Sequence, residues 1–93
     1  FSDAFAWKPE EGTQVLVFDR SSLELVSQGK TDPWYQWHFG NGCVDRDGNV
    51  VVDVIRYENF NTNQFLKEVA TGNAKTKTSS SLWQIRLNPK SGQ

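Results

Sequence analysis

With 93 residues the chain has room for one small domain, and a chain of that size buries only roughly 60–65% of the surface its unfolded form exposes, so its core is thin. The composition is 37% hydrophobic and 23% charged, with four Trp and six Phe, more aromatic mass than a disordered tail carries. A formal net charge of -1 argues against a dedicated nucleic-acid module, which shows a basic stripe.

Residues 1–12 mix aromatics with charge and end in the turn-rich Pro9-Glu10-Glu11-Gly12. Val15-Leu16-Val17-Phe18 predicts a buried strand, and Asp19-Arg20-Ser21-Ser22 a polar turn. Leu23, Glu24 and Leu25 alternate into a returning strand that reaches about Ser27, which makes a hairpin. Gln28-Gly29-Lys30-Thr31-Asp32-Pro33 is a loop by composition. Trp34-Tyr35-Gln36-Trp37-His38-Phe39 follows as a strand. Its period of two puts Trp34, Gln36 and His38 on one face and Tyr35, Trp37 and Phe39 on the other.

Asp45-Arg46-Asp47-Gly48 is a turn in which Gly48 is free to take positive φ. It leads into Val50-Val51-Val52-Asp53-Val54-Ile55-Arg56-Tyr57, whose near-continuous apolar character predicts burial on both faces. Asp53 interrupts that strand and needs a partner or a solvent-lined place. Residues 58–81 form a long polar loop. Within it, 63–70 has the pattern of about two helical turns, with Thr62 as N-cap and Gly72 near the C-terminal end. Leu82-Trp83-Gln84-Ile85-Arg86-Leu87 alternates, with Trp83, Ile85 and Leu87 inward, and Asn88-Pro89-Lys90-Ser91-Gly92 ends it. The order is hairpin, hairpin, long loop, strand: an all-β chain of antiparallel hairpins suited to propeller blades or to part of a sandwich.

Few residues carry chemistry. His38 is the only histidine; alone in an aromatic strand it reads as a packed structural residue, since a metal site needs several convergent ligands. Cys43, the single cysteine, cannot build a disulfide framework or a cysteine-rich zinc site; it fits a reducing compartment and packing as a small apolar group. Asp45 and Asp47 read as turn residues, because the remaining positions of a calcium loop are missing. Asp53 reads as a buried hydrogen-bond acceptor that fixes a loop, or as a carboxylate that orients some other group. Trp34, Tyr35, Trp37 and Phe39 form core or line an apolar channel. No apolar run approaches the ~20 residues that cross a bilayer, and Phe1-Ser2-Asp3 lacks the basic start of a signal peptide. The chain contains no Met, which leads us to expect an excised segment of a longer protein.

At Trp37-His38-Phe39-Gly40-Asn41-Gly42 the sequence resembles the histidine segment of the carotenoid cleavage oxygenases, a family that includes the apocarotenoid oxygenases and the retinal-pigment-epithelium isomerase. That segment is an aromatic residue, a His, two variable residues, then Asn and a small residue. An acidic stretch, a hairpin turn and an apolar strand with an Asp follow it, as 45–48, Asp53 and Arg56-Tyr57 do here. Upstream, Lys8-Pro9 and 13–20 resemble the family strand that enters an Asp/Arg turn. Downstream, 82–89 resembles the strand after its variable loop. Gly42 stands for the family's Ala, and Cys43-Val44 for an aromatic and an acid, which puts any role of those two positions in doubt.

The resemblance implies a seven-bladed β-propeller with a non-haem Fe(II) on its axis, held by four histidines. His38 falls on one of them, and the other three lie outside this chain. Residues 1–93 are then a single fragment of the larger propeller domain, equivalent to about one to two blades with the loop 58–81. The parent is expected to be a dioxygenase that cleaves carotenoid or apocarotenoid double bonds with O2. Trp34, Trp37 and Phe39 would line its substrate tunnel, and Asn41 and Asp53 would orient ligands. The resemblance also implies contact with the remainder of the propeller and a cytoplasmic or peripheral-membrane, reducing location. The isolated fragment is expected to be inactive and prone to self-association through unpaired strand edges. The alternative is a free-standing or catalytically inactive all-β binding or interaction module.

Overall fold

The computed structural model describes residues 4–93. Two antiparallel sheets carry it. In the first, strand β1 (Thr13–Phe18) pairs with β2 (Leu25–Thr31). The connecting turn is built by Asp19, whose Oδ1 accepts the peptide N–H groups of Ser21 at 2.9 Å and Ser22 at 2.8 Å. Those bonds, Ser22 foremost, hold the Asp19 carboxyl below its ordinary range.

Strand β2 extends beyond the expected end at Ser27. Residues 28–31, expected as a loop, pair with 13–16 of β1. Gly29 is the reason composition misled. It lies opposite Val15 in the ladder, and a Cβ there would drive into the carbonyl of Gly92. Glycine serves close backbone approach here, not a turn.

The second sheet has the order β3-β4-β5, from β3 (Phe39–Val44), β4 (Val50–Tyr57) and β5 (Ser80–Leu87), all antiparallel. The 45–48 turn forms as expected. Asp45 Oδ1 accepts from the N–H groups of Asp47 and Asn49, both at 2.9 Å, and Gly48 takes φ 83°. β4 is the central strand, as its apolar run requires. The buried apolar side chains among the described residues, Val51 and Val54, both belong to it. On β5, Trp83, Ile85 and Leu87 share one face, but Trp83 stays 47% exposed rather than inward.

Helix α1 (Asn61–Val69) joins β4 to β5, inside the expected loop. Thr62 is not its N-cap. Phe60 holds that position without a side-chain bond, and Asn59 Oδ1 accepts the Asn61 N–H at 2.9 Å. The end is as expected: Gly72 adopts φ 75° and donates to the carbonyl of Val69. The Glu68 carboxylate then gathers the descending chain, accepting from the N–H groups of Lys75 and Thr76.

The core is thin. The accessible surface is 7146 Å², against roughly 5,500 Å² for a folded monomer of this mass. Leu23, Leu82, Val44 and Phe39 are each at least 60% exposed.

Candidate functional site

The segment ahead of β3 was expected to be a continuous strand through His38. It is not. Tyr35 alone pairs with β4, exchanging both main-chain bonds with Tyr57 at 2.9 and 2.8 Å. Tyr35 faces Tyr57, Phe39 faces Val54, and Gly42 faces Val52. The segment therefore gains a residue on β4 between Tyr35 and Phe39, and again between Phe39 and Gly42. Such irregularities bend a strand and re-aim its side chains. His38 sits between the two. Its carbonyl accepts the N–H of Ile55 at 3.3 Å, a long bond, and its imidazole is exposed.

Trp37 is fixed more firmly. Its indole Nε1–H donates to the hydroxyl of Thr62 on α1 at 3.1 Å, and its ring meets Tyr35 edge-on at 5.3 Å. Tyr35 also meets Phe60 edge-on at 5.1 Å, and Phe60 stacks on Trp7. Burial in this cluster pushes the Tyr35 phenol up from its ordinary value. Trp37, His38, Tyr57, Thr62, Phe65 and Thr78 border an open cleft of about 350 Å³, with Leu66 at its rim.

The other expected site residues scatter. Trp34 does not line the His38 cleft; its ring and that of Trp83 both meet the Arg56 guanidinium, in a separate cleft of about 330 Å³ between the sheets. Phe39 is 60% exposed, and Asn41 is exposed on β3. Asp53 is half-buried and has a partner of its own, accepting from Gln84 Nε2 at 3.4 Å. Cys43 is a free, exposed thiol and does not pack as expected, because every residue of β3 faces solvent.

Several side chains at the cleft escaped the sequence reading: Tyr57, Thr62, Phe65, Leu66 and Thr78. The sequence pattern places Thr62 at a helix cap, and no spacing rule links it to Trp37.

Among the described residues no three His, Cys, Asp or Glu converge as a metal site. The exposed His38 imidazole supplies one donor nitrogen, fewer than the several convergent ligands that a metal site needs.

The family model described as retinal pigment epithelial membrane protein matches residues 1–93, the full length of the chain. The chain belongs to this carotenoid oxygenase family. It is 34% identical over 58 residues to a carotenoid isomerooxygenase of Drosophila melanogaster. That match covers 62% of this chain and 9% of the relative, so the chain spans a small part of its relative's length. No solved structure matches it significantly. Membership in the carotenoid oxygenase family gives the Trp37-His38 segment a chemical context that the isolated imidazole lacks.

Proposed function

We propose that the chain is one part of an Fe(II)-dependent carotenoid oxygenase of propeller architecture, to which it contributes one of four iron-ligating histidines, His38. The observation that carries this reading is the exposed imidazole at a double break in strand register, beside a cleft walled by aromatic and aliphatic side chains. The family match along the chain supports it. One donor fits one position of an all-imidazole set and cannot retain the ion alone, so the other ligands belong to the rest of the protein. The unusually large exposed surface supports the same conclusion.

His38 and imidazoles from the rest of the protein would hold Fe(II), which would supply the activation of O2 toward a conjugated double bond. The residues of this chain bind and enclose. His38 would coordinate through one ring nitrogen and leave the other N–H for a partner. Trp37, Tyr57, Phe65 and Leu66 exclude water and lie along an apolar carotenoid or apocarotenoid. Trp34 and Phe39 do not border this cleft. Asn41 and Asp53 retain a proposed part in orienting ligands. The parent is assigned to a reducing compartment, cytoplasmic or at a membrane surface, in keeping with the free Cys43 thiol.

The test is metal content of the full-length protein after anaerobic Fe(II) loading, intact and as His38→Ala. About one iron per chain, lost in the variant, supports the reading. Equal iron in both removes His38 from the ligand set. No iron in either leaves a catalytically inactive all-β module, the second reading.

A further inference from the structure

The main chain does not hold His38 rigidly. Register is broken on both sides of it, and its one ladder bond is the 3.3 Å contact from Ile55 N–H. Its direction must be set by its neighbours. On the C-terminal side Phe39 is 60% exposed and Gly40 has no side chain. On the N-terminal side Trp37 is held by the Thr62 hydroxyl at the indole nitrogen and by the edge-on Tyr35 ring. Tyr35 in turn is locked to Tyr57 by paired main-chain bonds.

We infer that Thr62 is a positioning residue for His38, acting through the indole of Trp37. Thr62 is 5% exposed, so its hydroxyl bond is shielded from competing water. It stands in the first turn of α1, while Trp37 precedes the strand break, so the bond joins two elements that share no ladder. Fixing the indole fixes the peptide that follows it, and with it the Cα–Cβ direction of His38. A valine at 62 keeps the volume and deletes the acceptor, which removes the Thr62 bond from the half-buried indole N–H. The inference rests on the proposed ligand role of His38 and extends it to a residue on a different element.

The experiment uses the full-length protein and reads Fe(II) retention against a competing chelator, with thermal unfolding of the iron-free form alongside. The proteins are the intact one, His38→Ala, Thr62→Val, Thr62→Ser and Trp37→Phe. Thr62→Val is expected to weaken retention by roughly tenfold, the lower end for groups that orient a ligand. Trp37→Phe, which removes the donor from the other side, should match it, and Thr62→Ser, which restores an acceptor, should recover most of the loss. Retention unchanged in both Thr62→Val and Trp37→Phe, while His38→Ala loses iron, overturns the inference alone. So does a Thr62→Ser protein as impaired as Thr62→Val, since packing would then be the cause. Iron unaffected by His38→Ala overturns the ligand reading and this inference with it.

Discussion

The Arg56 guanidinium donates to the Asp32 carboxylate at 2.8 Å while it lies between two indole faces, 4.5 Å from the centre of Trp34 and 4.1 Å from that of Trp83. The Arg56 side chain is 14% exposed, so the stack is partly shielded from water. It ties the β2 exit to β4 and β5. Arg56→Ala should lower stability by about 1–2 kcal/mol, the range for a partly desolvated cation over aromatic rings. Arg56→Lys should recover little, because an ammonium does not stack as a plane. Urea unfolding of the full-length protein checks both; Arg56→Lys equal to wild type would reduce the contact to simple charge pairing.

Gly29 and Gly48 make a paired prediction. An added Cβ at Gly29 collides with the main chain of Gly92, which is itself buried. Gly29→Ala should therefore cost about 1–3 kcal/mol by overpacking and loosen the 88–93 segment from the first sheet. At Gly48 a Cβ meets open space, but φ is 83°. Gly48→Ala should cost only about 1–2 kcal/mol of backbone strain, and Gly48→Asn less, since Asn tolerates left-handed backbone. Matched chemical unfolding distinguishes the steric from the conformational mechanism: Asn rescues relative to Ala at 48 and not at 29.

Local chemistry was legible and long-range contact was not. The central strand β4 follows from its apolar run, and the 45–48 turn from a carboxylate placed to accept nearby N–H groups. Gly72 ends α1 as a left-handed residue should. Residues 28–31 failed because pairing with β1 outweighed their polar composition. The strand expected through Trp34 and His38 failed because period-two counting assumes unbroken register, and this segment breaks it twice. Trp34 and Trp37 were grouped as one tunnel wall, yet Arg56 captures the first and Thr62 the second. Both captors are more than fifteen residues away in sequence, beyond any window in which periodicity operates.

Acid should weaken the fold through a defined set of carboxylates. Asp45 is held below its ordinary 3.8, first by the Asn49 peptide N–H and also by the Asn49 side chain, Asp47 and Arg86. Asp19, Asp32 and Glu68 shift the same way, Asp32 chiefly through Arg56 and Glu68 chiefly through Thr76. A carboxyl depressed in the folded state binds its proton more tightly when unfolded. Its stabilisation is present above the unfolded value and lost as pH falls through the folded one. Unfolding midpoints should thus fall below about pH 4, where the reference values lie. Asp45→Asn should flatten that acid limb and lower stability at pH 7; an unchanged acid limb would show that the turn bonds do not report on global folding.

Exposed surface sets the last expectation. The 7146 Å² found exceeds the roughly 5,500 Å² of a self-sufficient monomer by about twice the ~800 Å² that one partner loses in a standard protein interface. The excess is apolar in part, with Leu16 and Phe18 on β1, Val44 on β3 and Leu82 on β5 all about half exposed or more. Strands β2, β3 and β5 also present free edges, which recruit other strands. The 93-residue chain alone should therefore self-associate at micromolar concentration, and its sedimentation coefficient should rise with concentration. Lysine at Leu82, exposed at 72% and on the β5 edge, should suppress that association without unfolding the sheet. A chain that stays monomeric at 100-fold higher concentration would show that this surface is stable in water, and would weaken the case that a larger protein covers it.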